Sequence, residues 1–186
     1  GTHRIALAGE GETVEVSIDI ELVVRILGIA AYRYEMTNRE VWREGRLISM
    51  DSRVNDDGEE KRVTARREES ELMIDGPNYA GPAPLGAATT TYFTNDFLSR
   101  KPWISTDAGD LLQIRREKLG PGSVEGAGGP IGVTRWRVSD GEAYEVEIAY
   151  DDGGEWVGLA FDAGGERATY RPDAVKESFV AIWTGR

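Results

Sequence analysis

An unbroken alternation of apolar and polar residues over Val14–Ile26 constrains the fold of this chain more than any other feature of its sequence. The apolar side chains fill seven successive even positions: Val14, Val16, Ile18, Ile20, Leu22, Val24 and Ile26. A period of two over 13 residues predicts a β-strand with one buried face, and it excludes a helix. Such a strand is about 40 Å long, well beyond the usual length, and must twist strongly. We therefore expect it to follow a curved sheet.

The pattern continues in a second strand over Ala30–Arg43, where Asn38 and Glu40 interrupt an otherwise apolar face. Shorter strands follow, separated by turns such as Glu44-Gly45 and 55–58. Most of the 23 glycines lie beside Asp, Asn or Glu, which is typical of a turn-rich β protein. The predicted fold is therefore mainly β: a curved antiparallel sheet, half-barrel or barrel-like, with long strands and one or two short helices.

The middle of the chain has a different composition. Gly76–Thr91 is rich in Gly, Pro and Ala, which predicts a long loop that forms a lid or rim. Thr94 is expected to cap a short helix that runs through Ser99 and is ended by Pro102. Gly120–Gly132 is predicted to be a second glycine-rich loop.

The C-terminal third predicts a four-stranded meander whose register can be derived from its turns. Two-residue turns at Gly153-Gly154 and Gly164-Gly165, and a three-residue loop at 140–142, would place apolar residues opposite one another on one face. The expected pairs are Tyr150 with Val157, Ile148 with Leu159, Phe161 with Ala168, Leu159 with Tyr170, Trp136 with Val146, and Arg137 with Glu145.

The length of 186 residues suits one domain, and we predict a single β domain over residues 1–186. Residues 1–11 are expected to form a flexible N-terminus, and residues 172–186 a C-terminal extension. Within that extension, Asp173–Trp183 fits a helix with an apolar face, while Ser178–Trp183 also fits an edge strand.

Composition excludes several kinds of chemistry. A net charge of −11 disfavours binding to nucleic acid, and the absence of cysteine excludes disulfides, thiolate nucleophiles and Cys-metal sites. No stretch of 18 apolar residues is present, so we predict no transmembrane segment. His3 is the only histidine and lies near the N-terminus, which disfavours a Ser-His-Asp triad and His-based metal sites. We therefore predict no catalytic residue, no metal site and no cofactor.

Aromatic side chains are the remaining indication of a site. They occur on one face of the second strand and around the predicted lid and helix, and with one methionine they form the candidate lining of a ligand cavity: Tyr32, Tyr34, Met36, Trp42, Tyr92, Phe93, Phe97 and Trp103. Ordinary core packing is the simpler explanation of the same residues. Asn38 and Glu40 favour the cavity, because they share the face of Tyr32 and Trp42 and a dry core would exclude them.

Three stretches resemble an uncharacterised family of exported β-rich proteins from Gram-negative bacteria, classed as a domain of unknown function. They are Leu27-Gly-Ile-Ala-Ala-Tyr-Arg-Tyr-Glu with Glu40-Val-Trp-Arg-Glu-Gly-Arg-Leu, then Asp51-Ser-Arg with Val63-Thr-Ala, and then Tyr150-Asp with Gly154-Glu-Trp-Val-Gly-Leu-Ala-Phe161-Asp and Tyr170. The resemblance covers most of residues 12–171, and it implies β architecture and a periplasmic location. It carries over no catalytic residues. The long strands are also remotely similar to the half-barrels of periplasmic lipoprotein carriers.

The sequence thus favours a periplasmic binding or carrier protein for a lipid or other hydrophobic ligand. A structural or protein-interaction module of the cell envelope, with a cell-envelope protein as partner, is the alternative. A hydrolase that works through carboxylates is the third hypothesis, and it would require two carboxylates in one cleft, at least one of them with a raised pKa.

Overall fold

The computed structural model describes residues 1–10, 12–26, 29–163, 166–173, 178–179 and 182–183. About 68% of the described residues are in β-strands, which confirms the mainly-β prediction. The strands are β1 Thr2–Glu10, β2 Thr13–Ile26, β3 Ile29–Arg43, β4 Arg46–Asp56, β5 Glu59–Glu68, β6 Glu71–Asp75, β7 Ala80–Pro84, β8 Ala88–Thr89, β9 Trp103–Ile104, β10 Leu111–Leu112, β11 Arg115–Gly126, β12 Gly129–Ser139, β13 Glu145–Tyr150, β14 Trp156–Ala163 and β15 Glu166–Tyr170. A 3₁₀ helix at Asn95–Ser99 is the one helix of the described residues.

The chain divides into two compact units. The N-terminal unit contains the described residues of Gly1–Thr91, Pro102–Leu111 and Ile182–Arg186. The C-terminal unit contains those of Tyr92–Lys101 and Leu112–Ala181.

A seven-stranded antiparallel sheet forms the N-terminal unit, with its strands in the order β1-β2-β3-β4-β5-β6-β7. Each strand pairs with its neighbour in sequence, and β1 and β7 are the edges, so the described sheet is not closed into a barrel. At 14 and 15 residues, β2 and β3 are its longest strands, as the alternation over Val14–Ile26 predicts. Two-residue strands β8 and β9 pair in parallel within the same unit.

Burial along β2 follows the predicted alternation in its first half. Val14, Val16 and Ile18 are almost fully buried, whereas Val24, near the other end of the strand, is 49% exposed. The cause is the length of the neighbouring strand, because β4 ends at Asp56, opposite Tyr34 of β3. The β2–β3 hairpin therefore extends past β4, and its far end leaves the core.

Two segments that the sequence assigned to flexible or loop structure are edge strands. Residues 2–10, within the predicted flexible N-terminus, form β1 in antiparallel register with β2, and Ile5 and Leu7 are half-buried there. Ala80–Pro84, within the predicted loop 76–91, forms β7 beside β6. Its prolines are tolerated because an edge strand needs hydrogen bonds on one side only.

The C-terminal unit contains a five-stranded antiparallel sheet in the order β11-β12-β13-β14-β15. Its first hairpin, β11–β12, takes up most of the glycine-rich 120–132 segment that the sequence assigned to a loop. The 3₁₀ helix is the predicted short helix, and Thr94 caps it by accepting a hydrogen bond from the Asp96 N–H.

The register of the meander agrees with the prediction in its last hairpins and differs in the first. Ile148 pairs with Leu159, Leu159 with Tyr170, and Phe161 with Ala168, as expected. A bulge after Ala149 places Tyr150 opposite Trp156 instead of Val157. Gly164-Gly165, the turn predicted between β14 and β15, lies outside the described residues, as do 174–177, 180–181 and 184–186 of the predicted C-terminal extension.

The β12–β13 pairing is shifted by two residues from the prediction, so that Trp136 pairs with Ile148 and Arg137 with Glu147. The three-residue loop was wrong because Asp140 organises a wider one: its carboxylate accepts hydrogen bonds from the N–H groups of Glu142 and Tyr144. A shift of two residues keeps every side chain on its face, which is why the predicted apolar face persists.

Candidate functional site

A polar cluster lies within the apolar face of the seven-stranded sheet. Asn38, Glu40 and Trp42 alternate along β3 and therefore point to the same side, next to Val14, Val16 and Ile18 of β2. With three residues from β4 and the 89–91 segment they form what we term the Glu40 cluster: Asn38, Glu40, Trp42, Ser52, Thr89 and Thr91. All six residues are buried, and none is more than 3% exposed.

The carboxyl group of Glu40 is the centre of this cluster. Asn38 Nδ2 donates to Glu40 Oε1 at 2.9 Å, and Trp42 Nε1 donates to Oε2 at 2.8 Å. Thr89 and Thr91 also hydrogen-bond to the carboxyl group, and their hydroxyls lie 2.6 Å apart. Burial raises the pKa of Glu40 to about 7, although these hydrogen bonds act in the opposite direction. Glu40 is thus a core carboxyl group that titrates near neutral pH.

Two polar atoms of the cluster have no hydrogen-bond partner within the described structure: Asn38 Oδ1 and Ser52 Oγ. Asn38 and Ser52 are directly opposite each other on β3 and β4, and both are fully buried. A buried polar group left without a partner costs about 1–3 kcal/mol, so a pair of them in a core is unusual.

Trp42 closes one end of the cluster. Its ring is fully buried and packs against Trp183 in a T-shaped arrangement, with the ring centroids 5.6 Å apart and the planes at 76°. Trp183 belongs to the predicted C-terminal extension, so this part of the extension packs within the N-terminal unit. The contact combines a large apolar area with the favoured edge-to-face geometry of aromatic pairs.

The other sequence-predicted lining residues of the N-terminal unit have separate surroundings. Met36 and Trp103 are buried, whereas Tyr32 is 36% exposed at the far end of the β2–β3 hairpin. Tyr34 is half-buried, and its hydroxyl donates to Asp107 Oδ1 at 3.1 Å. Lys61 forms ion pairs with both Asp56 and Asp107. Burial raises the pKa of the Tyr34 hydroxyl, which therefore stays protonated. The hydrogen bond from Tyr34 to Asp107 thus connects the 105–110 turn to the sheet.

Tyr92, Phe93 and Phe97 belong to the C-terminal unit. All three are buried there, and the rings of Phe93 and Phe97 meet edge to face at 4.9 Å. Tyr92 packs against Trp156 at a centroid distance of 5.8 Å. In that unit they act as core residues around the 3₁₀ helix.

The C-terminal unit also contains an open cleft of about 450 Å³. Its lining is mostly the glycine-rich tip of the β11–β12 hairpin and the 151–157 turn, which includes Glu155. Glu155 Oε1 accepts hydrogen bonds from Ser178 Oγ at 2.8 Å and from the Phe179 N–H at 2.6 Å. This carboxylate therefore holds residues 178–179 against the turn, which accounts for its burial. No group of three or more metal-ligating side chains is present among the described residues.

Sequence reasoning found half of the Glu40 cluster. Asn38, Glu40 and Trp42 were visible because they share the parity of an apolar strand face. Ser52 carried a weaker signal, since it occupies an inward position between Met50 and Val54 of β4. Thr89 and Thr91 come from a segment without periodicity, and their contact with Glu40 depends on how that segment folds back on the sheet.

The chain belongs to the family described as Domain of unknown function (DUF6134), which matches residues 1–173. Among solved structures, it is similar to a DUF1089 family protein from Pseudomonas aeruginosa, with 12% sequence identity and a TM-score of 0.43; the match covers 84% of this chain and 88% of that one. No functionally curated protein matches it. Membership in an uncharacterised β-rich family is as the sequence resemblance predicted. None of the helices in the described part of the chain has the length and hydropathy needed to span a membrane.

Proposed function

We propose that the N-terminal unit binds a hydrophobic small molecule, such as a lipid, and acts as a carrier. The ligand would lie against the inner face of the seven-stranded sheet, which is the face that carries Val14, Val16, Ile18 and the Glu40 cluster. The observation that supports this most directly is the Glu40 cluster. A face that only packs would be more stable with apolar residues at these positions, because buried polar groups cost free energy even when most of them are hydrogen-bonded. A bound amphiphilic ligand would account for these polar groups, because its apolar chain would contact the apolar face and its polar end would contact the cluster.

The cover over the cluster is suited to displacement. The segment around β8 supplies the contacts to Glu40; β8 has only two residues, pairs with the equally short β9 and follows the small residue Ala87. Thr89 and Thr91 connect it to Glu40 through hydroxyl groups, and side-chain hydrogen bonds contribute only about 0.5–1.5 kcal/mol each. Binding would exchange these contacts for contacts with the guest.

A docking module is less favoured by the surface of the described residues. Val24 and Tyr32 are the only large hydrophobic residues among them that are exposed. Protein partners commonly bind through contiguous apolar patches of several hundred Å², and two side chains on one hairpin do not provide such an area. The inner face is therefore the better candidate for an apolar ligand.

Binding can be tested with an uncharged fluorescent probe, N-phenyl-1-naphthylamine, titrated into the purified protein. We expect saturable binding of one probe per chain with a Kd on the order of micromolar, and competition by long-chain alcohols. Native mass spectrometry and organic extraction should detect any co-purified ligand in the same preparation. A linear, non-saturating titration together with an empty extract would contradict the proposal.

A matched pair of variants locates the site. Val16 pairs with Glu40 across β2 and β3, and Val16→Phe places extra volume on the inner face. Val23→Phe adds the same volume on the opposite face of β2. We expect Val16→Phe to weaken probe binding about tenfold or more and Val23→Phe to leave it unchanged, with melting temperatures recorded for both because overpacking itself costs about 1–3 kcal/mol.

We also propose that the protein works in the periplasm, on the strength of the family resemblance. The expected result is that β-lactamase fused to the C-terminus of the full-length gene product confers ampicillin resistance on a Gram-negative host, because the enzyme protects cells only after export. The same reporter expressed without a fusion partner and without an export signal provides the comparison. Sensitivity of cells that express the full-length fusion at normal levels would contradict a periplasmic location.

A further inference from the structure

We propose that Asn38 and Ser52 form the head-group subsite of the inner face, and that it takes an uncharged hydrogen-bond donor, the hydroxyl of an alcohol or the N–H of an amide. This inference rests on the proposed function and specifies which amphiphiles the carrier accepts. It depends on two fully buried side chains that are directly opposite each other on β3 and β4 and have polar atoms without partners.

The orientation of the Asn38 amide determines what the subsite offers. Asn38 Nδ2 donates to Glu40 Oε1 at 2.9 Å. The Oδ1 atom of the same amide is therefore directed away from Glu40 and can accept a hydrogen bond. Ser52 supplies a hydroxyl, which can donate or accept. A guest must therefore donate one hydrogen bond to Asn38 Oδ1 and exchange a second with Ser52 Oγ. A hydroxyl group does both with a single oxygen atom.

Other head groups fail on charge or on hydrogen bonding. A carboxylate or phosphate has no proton for Asn38 Oδ1 and would place a second negative charge near the Glu40 carboxyl group. An ether or ester oxygen has no proton to donate. The six residues of the cluster include no cationic side chain that would compensate an anion. Apart from Glu40, they are Asn, Trp, Ser and Thr.

The sharpest probe pair is 1-decanol and decyl methyl ether, which share a chain and an oxygen atom but differ in the donor. Displacement of N-phenyl-1-naphthylamine from the full chain should show 1-decanol binding about tenfold more tightly than the ether, and decanoate binding more weakly than either. In Ser52→Ala the alcohol should lose most of this advantage. Ser49→Ala, on the opposite face of the same strand, should retain it.

The outcomes separate this inference from the proposed function. If alcohol and ether compete equally well, the inner face binds apolar ligands but the head-group subsite is wrong. The subsite is also wrong if a structure with 1-decanol shows a water molecule, and not the alcohol, between Asn38 Oδ1 and Ser52 Oγ. If the probe itself does not bind, so that there is nothing for either compound to displace, the proposed function fails first. A tenfold preference that disappears in Ser52→Ala and persists in Ser49→Ala supports the subsite.

Discussion

Replacing Trp42 with alanine is expected to lower the free energy of unfolding by about 3–5 kcal/mol, the largest effect of any substitution considered for the N-terminal unit. The indole ring is fully buried on β3, so its removal leaves a cavity in the inner face. It also removes the edge-to-face contact with Trp183 and the hydrogen bond from Nε1 to Glu40 Oε2. Whole domains are commonly stable by only about 5–15 kcal/mol, so this variant approaches the limit of folding.

Two further variants separate the contributions. Trp42→Phe retains most of the ring and loses the Nε1 donor, and we expect it to cost about 1–3 kcal/mol. Tyr32→Ala removes an exposed aromatic residue from the same strand and should cost under about 1 kcal/mol. Urea denaturation followed by circular dichroism measures all three. Equal urea midpoints for Trp42→Ala and Tyr32→Ala would show that β3 does not bury Trp42 in the core.

The sequence was sufficient for the main features of the N-terminal unit because period-two patterning has a simple physical cause. Val14, Val16 and Ile18 are buried because alternate residues of a strand share a face, and no distant contact is needed to predict that. The same reasoning could not find where the face ends. Val24 continues the pattern yet is exposed, since its burial depends on how far the neighbouring strand β4 extends.

Register was predictable where turn chemistry was local, and not where a side chain reorganised the loop. The Ile148–Leu159 and Leu159–Tyr170 pairs followed from glycine pairs and apolar matching. Gly154 is indeed in the left-handed region, with φ of +80°, and a Cβ atom there would lie 2.5 Å from Asn95 Oδ1. The β12–β13 register depended on the Asp140 carboxylate, whose two backbone hydrogen bonds have no counterpart in a hydrophobicity pattern.

The candidate site was also predictable from local sequence in part, and depended on distant contacts for the rest. Asn38 and Glu40 stand out in the sequence as polar residues on an apolar face, and that contradiction was the correct signal. What it could not provide is their partners, because Thr89 and Thr91 are about fifty residues away and reach Glu40 only through the tertiary fold. Functional sites are commonly where local rules are broken and the compensation is non-local.

Glu40 makes stability depend on pH in the direction opposite to that of a carboxylate held in a salt bridge. Its pKa is about 7 in the folded protein, compared with an ordinary value of 4.5, so between these values the folded state holds a proton that the unfolded state has released. Stability therefore falls as pH rises from about 4.5 to 7 and is constant with respect to this group outside that range. The full shift corresponds to about 3 kcal/mol.

Glu40→Gln is expected to remove this loss. The Gln oxygen can accept from Trp42 Nε1, and the amide of Asn38 can turn so that its Oδ1 accepts from Gln Nε2, so both hydrogen bonds of the carboxyl group are replaced without a charge. We expect the variant and the parent to be about equally stable near pH 4.5, and the variant to be more stable by about 2–3 kcal/mol at pH 8. Urea titrations at half-unit steps of pH measure the difference. Glu21→Gln, which removes an exposed carboxyl group from β2, is the matched control for the loss of one negative charge. Parallel curves for Glu40→Gln and the parent would mean that Glu40 titrates in the fold as it does in the unfolded chain, and that the inner face is open to water at this position.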